Sequence, residues 1–146
     1  MNRRVVCMVR GGEAGRRVQR QAIVYAQKTG LPLIFLHIIY LRGLTLKDEA
    51  MLASAEKEMT WLARVTLNLA RSRARTAGLQ ADYAIRHGPI IETTIAFLNE
   101  SPVERLFIGC PSSESPDYQE NLLRVREFAR QISDATGVQV TIADGG

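Results

Sequence analysis

Cysteine, histidine and aromatic residues are all scarce in this chain. Its 146 residues include two cysteines, Cys7 and Cys110, two histidines, His37 and His87, and a single tryptophan. There is no CxxC pair and no cysteine–histidine cluster, so the ligand spacing of a zinc site is missing and no metal is expected. The two thiols read as reduced and partly buried. No apolar run approaches the ~18 residues of a membrane span. The longest, Leu31 to Leu41, contains Pro32, His37 and Tyr40 and reads as a buried strand. The apolar part of the N-terminal stretch is too short for a secretory signal. The expected location is the cytoplasm, with no membrane partner. Repeats, linkers and low-complexity segments are also missing, which implies one domain over residues 1–146.

What is present is ordinary globular composition with a basic balance. Hydrophobic residues make up 46% and charged residues 23%, and the net charge is +4. Arginine supplies 16 of the 19 basic residues. These arginines alternate with acids over several predicted helices, which describes a solvated surface better than a nucleic-acid patch. The densest group is Arg64, Arg71, Arg73 and Arg75. Aromatics are scarce beside it, so stacking on bases has little support and nucleic acid is not an expected partner.

Apolar periodicity divides the chain into alternating strands and helices. Residues 4–9 form a short apolar strand. A helix over 14–29 places Val18, Ala22, Tyr25 and Ala26 on one face and stops at Gly30. Leu31 to Ile39 is the second strand. Thr45 and Asp48 resemble a capping box before a long amphipathic helix. That helix carries an apolar stripe of Leu52, Ala55, Met59, Leu62, Thr66 and Leu69 and ends near Gly78. Trp61 sits beside the stripe and reads as a packing residue. Gln80 to Arg86 is a third strand. His87-Gly88-Pro89 turns into a short helix over 90–99. Arg105 to Ile108 is the fourth strand. After a loop from Gly109, Asp117 and Glu120 form another cap-like pair. Leu122, Val125, Ala129 and Ile132 line the last helix, Gly137 closes it, and Val138, Val140 and Ile142 alternate through a fifth strand.

Alternation of this kind implies an α/β fold: one open parallel sheet with helices on both faces. Strands one, two and four are continuously apolar and belong in the centre. Strands three and five alternate and belong at the edges. Asp82 and Arg86 protect strand three from edge pairing. Strand five offers only Gln139 and Thr141 as polar positions. It therefore invites a second copy, and the expected two-fold interface is Val138, Gln139, Val140, Thr141 and Ile142.

Three stretches resemble the universal stress protein family. They are "RRVVCMVRGGEAGRRVQRQAIVYAQKTG", "LIFLHII" and, most specific, "RHGPIIETTIAFLNESPVERLFIG". The resemblance covers nearly the whole length. It implies a five-stranded sheet of order 3-2-1-4-5, the adenine nucleotide alpha hydrolase-like arrangement, in agreement with the edges assigned from polarity. Ligands in such sheets bind beyond the carboxyl ends of the strands, where the strand order reverses. The implied crevice has Arg10, Gly11 and Gly12 on one side. Gly109, Cys110, Pro111, Ser112 and Ser113 form the other, and Ile38 the back wall.

Many family members bind ATP in this crevice, and the sequence departs from their pattern twice. Their first strand usually ends in a nucleotide-contacting aspartate, where this chain has Arg10. Their fourth strand usually leads into Gly-x-x-Gly, nine residues, then Gly-Ser or Gly-Thr. Here Gly109 is kept, Ser112 replaces the second glycine, and Leu122-Leu123 replaces the final pair. Glycines let backbone amides approach phosphate oxygens; leucines add bulk and offer no hydroxyl. Aspartate accepts hydrogen bonds from ribose hydroxyls, which arginine cannot. The expectation is a degenerate nucleotide site with no resident cofactor. Arg10 and a Gly11-Gly12 turn before a helix leave room for a small anionic ligand. ATP or AMP held by altered contacts is the alternative.

Nothing else suggests catalysis. His37 lies within an apolar strand and reads as a satisfied core histidine; His87 reads as a turn residue. No Ser-His-Asp spacing or catalytic carboxylate pair is present. The resemblance implies a stress-response or regulatory protein; the unprotected fifth strand adds the expectation of a dimer, and the missing catalytic patterns that of a protein that is not an enzyme.

Overall fold

The computed structural model describes residues 3–9, 13–41 and 49–143. It contains β1 (Arg4–Met8), α1 (Glu13–Thr29), β2 (Leu33–Ile39), α2 (Glu49–Thr76) and β3 (Ala81–His87). α3 (Ile90–Leu98), β4 (Val103–Ile108), α4 (Tyr118–Thr136) and β5 (Gln139–Ile142) follow. All strand pairs are parallel, in the order β3-β2-β1-β4-β5. Both the sheet order and the edges expected from polarity are therefore found.

β1 is the central strand because both of its faces are covered. Val5, Val6 and Cys7 have no exposed surface. Side chains alternate across the pleat and build two cores. Val5, Cys7, Leu33, Phe35 and Ile39 pack against Val18, Ala22 and Ala26 of α1 and Ala63, Leu67, Ala70 and Ala74 of α2. On the opposite face Val6, Leu36, Leu106 and Ile108 meet Phe97 and Leu98 of α3 and Ile132 of α4. Burial pushes the Cys7 thiol well above its ordinary value, so it stays protonated.

Glycines with positive φ end α1, α2, β3 and α4, at Gly30, Gly78, Gly88 and Gly137. Gly137, at φ 73°, is the left-handed cap of α4, donating its N–H to the Ser133 carbonyl. Gly88, at φ 138°, donates to the Ile39 carbonyl at 3.1 Å, and Pro89 holds the N-cap position of α3.

Three local expectations need correction. First, the stripe Leu52, Ala55, Met59, Leu62, Thr66 and Leu69 is not the core face of α2. Leu52, Met59, Leu62 and Leu69 are exposed, and the helix buries Ala63, Leu67, Ala70 and Ala74 instead. Both rows repeat at steps of three and four. The alanine row lets the helix lie close against the sheet, so the bulkier row turns outward. Second, Trp61 is 65% exposed rather than packed. Third, Asp117 does hold the N-cap position of α4, but its side chain makes no capping bond. The Thr45–Asp48 pair lies outside the described residues.

Candidate functional site

The switch point lies between β1 and β4. The chain leaves β1 through α1 toward β2 and leaves β4 through α4 toward β5. The connections diverge, and in open parallel sheets such a point is where ligands bind, beyond the carboxyl ends of the two strands. Of the residues expected to line it, Arg10, Gly11 and Gly12 lie outside the described residues. Gly109 and Cys110 leave β4 half-buried, and Ser112 and Ser113 are exposed beyond them. Ile38 is half-buried and packs toward α3 and α4.

The loop after β4 is organised by its own serines. Ser112 Oγ accepts the Glu114 N–H at 3.3 Å, and the Ser112 carbonyl accepts the Ser115 N–H at 3.2 Å. Ser115 repeats the arrangement: its Oγ accepts from Asp117 N–H at 3.3 Å and its carbonyl from Tyr118 N–H at 3.1 Å. These are two successive serine turns leading straight into α4. Both hydroxyl oxygens are thus acceptors within the loop. Because α4 starts at Tyr118, Leu122 and Leu123 fall inside the helix. Amides at that depth are committed to helical carbonyls.

On the β1 side the informative contact belongs to His37. Its Nδ1 lies 2.9 Å from the Val9 carbonyl oxygen, at the end of β1. A carbonyl only accepts, so Nδ1 carries a proton in this contact and donates it to Val9. This fits the reading of a satisfied histidine. The sequence did not reveal that its partner is the backbone next to Arg10. The only signal was a polar ring in an apolar strand; finding its partner requires the register of β1 on β2.

Two cavities lie away from the switch point. One, of about 280 Å³, sits at the opposite end of the sheet between Ala26, Gly30, Pro32, Ala77 and Leu79. The other is an open groove of about 920 Å³ beside α2, lined by Glu56, Trp61, Arg64 and His87. There His87 Nε2 lies 3.4 Å from Glu56 Oε1. Among the described residues no helix is long and apolar enough to cross a membrane.

The model of the universal stress protein family matches residues 1–119. No curated protein matches the chain. Among solved structures, the universal stress protein UspA from Lactobacillus plantarum superposes with a TM-score of 0.78 at 14% identity, covering 99% of this chain and 99% of that one. A universal stress protein in complex with cAMP gives 0.69 at 14%, covering 99% and 98% respectively. The universal stress protein from Archaeoglobus fulgidus in complex with dAMP gives 0.62 at 19%, covering 97% and 98%.

Proposed function

The chain belongs to the universal stress protein family, and from that premise we propose that it is a non-catalytic, regulatory member with a degenerate nucleotide site. The observation that carries this reading is the start of α4. Where the family pattern asks for Gly-Ser on a phosphate-facing loop, this chain has Leu122-Leu123 inside a helix. Backbone amides bound to helical carbonyls are not free to cradle phosphate. The hydroxyl oxygens of Ser112 and Ser115 are likewise engaged in loop turns. The protein then works in the cytoplasm without a resident cofactor, through contacts with other proteins or a small anion at Arg10.

It also works as a homodimer through β5. Ala143 donates its N–H to the Ile108 carbonyl at 2.8 Å. Backbone groups alternate in direction along a strand, so Thr141 also faces β4, and the N–H groups of Val140 and Ile142 face the open edge. That edge supports pairing with a second copy.

A second reading, binding of ATP or AMP through altered contacts, is favoured by structural relatives that hold cAMP and dAMP. Nucleic acid is disfavoured by the arginines themselves. Arg71 lies over the Tyr83 ring, Arg73 bonds to Gln19 and Arg75 pairs with Asp82. Native mass spectrometry of the freshly purified protein tests the reading. The expected species is free of ligand; a co-purifying adenine nucleotide, identified after denaturation, overturns it in favour of the second reading.

A further inference from the structure

Seven of the eleven large apolar side chains exposed among the described residues lie on α2. Single exposed apolar residues are common, but a contiguous face of them marks an interaction surface. This face has a regular repeat. Leu52, Ala55, Met59, Leu62, Thr66 and Leu69 follow one another at steps of three, four, three, four and three. That is the spacing by which one helix packs along another at a shallow angle. The domain's own core does not use this row, because α2 meets β2 and β3 through its alanine row.

The distribution of charge says which way a partner helix must run. The first half of α2 carries Glu49, Glu56 and Glu58 against one base, Lys57. The second half carries Arg64, Arg71, Arg73 and Arg75 and no acid. Arg71, Arg73 and Arg75 also make the contacts within the domain described above, so they contribute the sign of the field along this half, while Arg64 is the base left for a direct pair. A copy lying parallel sets like charges side by side. A copy lying antiparallel sets the acidic half along the basic half, and the same face serves both partners, as two-fold symmetry requires.

We infer that α2 is the contact helix of a second, antiparallel two-fold interface between copies of this chain. The row itself supplies the register. Read in opposite directions about a point between Thr60 and Trp61, it sets Leu52 against Leu69 and Met59 against Leu62 of the second copy. Ala55 then faces Thr66. Large side chains meet large ones, small meet small, and every member of the row has a counterpart. Val65, exposed beside Leu62 and Leu69, flanks the contact. This surface lies over the β3 side of the sheet, at the far edge from β5. The inference is therefore independent of both the nucleotide reading and the β5 pairing.

Sedimentation equilibrium tests it in a chain carrying Val140→Pro, which removes an outward N–H at the β5 edge. The expected result is a concentration-dependent dimer. Adding Leu62→Glu and Leu69→Glu weakens it by on the order of 100-fold, since unpaired carboxylates are then buried at the seam. Both leucines are exposed in the monomer, so the far-ultraviolet circular dichroism stays unchanged. A monomer before the glutamates are added, or a dimer that survives them, overturns the inference. A disulfide test avoids any dependence on the proline. In a Cys110→Ser background, chains bearing Ala55→Cys and chains bearing Thr66→Cys are oxidised separately and as a mixture. Cross-linking in the mixture alone supports the antiparallel register. Links within Ala55→Cys chains by themselves, or no links at all, overturn it.

Discussion

Gly88 stands where β3 gives way to α3, and no side chain fits there without strain. Its φ is 138°, and a Cβ added to it meets Thr93 Oγ1 at 2.7 Å. Gly30 differs: its φ is 71°, and an added Cβ has nothing within 4 Å. Gly88→Ala is expected to lower stability by about 1–3 kcal/mol, because it adds contact to backbone strain. Gly30→Ala is expected to cost about 1 kcal/mol, from the left-handed backbone alone. Urea denaturation of the two variants measures the difference, and Gly88→Ala combined with Thr93→Ala recovers the contact's share. Equal losses at both positions would refute this division. The turn at Gly88 was legible from the His87-Gly88-Pro89 sequence; the approach of Thr93 was not, since it depends on how α3 leaves the turn. His37 divides the same way. Its satisfied state follows from one polar ring in an apolar strand. Its partner, the Val9 carbonyl, emerges only once β2 is registered on β1.

Among the elements, strands were easier to read than helix faces. β1 and β2 are apolar on both sides, and polarity alone put them in the centre and β3 and β5 at the edges. α2 has two rows with similar spacing, and hydrophobic size selects the outward one. Alanines decide the matter by allowing close approach to the sheet, a packing effect that no single-residue scale contains. α4 raises the same issue at the candidate site. Replacing Leu122-Leu123 with Gly-Ser and Arg10 with aspartate restores the family's residue types, but α4 still begins at Tyr118. Adenine-nucleotide affinity is therefore expected to rise by less than ~10-fold, or 1.4 kcal/mol. Titration calorimetry with ATP and AMP measures this. A larger gain would mean that side chains, rather than the start of the helix, keep phosphate out. The helix itself is expected to lose about 1 kcal/mol from the inserted glycine.

At the level of the whole molecule, the sheet's two edges differ in a way that bears on assembly. On β3, Asp82 pairs with Arg75 at 3.6 Å and Arg86 with Glu100 at 3.2 Å. These exposed pairs add little stability, but charges along an edge discourage strand pairing. On β5, Arg105 reaches across from β4 and donates to Thr141 Oγ1 and Gln139 Oε1, each at 2.6 Å. The guanidinium thus occupies the polar side chains of β5 on one face and leaves its outward backbone groups for a partner. Read from the sequence alone, Thr141, at the middle of the expected interface, is the natural place to block that pairing. The register moves the position, because the N–H of Thr141 belongs to the ladder with β4. Proline at Thr141 breaks the sheet from within, whereas proline at Val140 removes only an outward donor, the placement that edge strands tolerate. In a Leu62→Glu, Leu69→Glu background that silences α2, Val140→Pro is expected to convert a dimer to a monomer with unchanged circular dichroism. Thr141→Pro is expected to lower the melting temperature more steeply. Sedimentation velocity and thermal melts read both outcomes. A dimer that persists with Val140→Pro in that background would place the pairing somewhere other than β5.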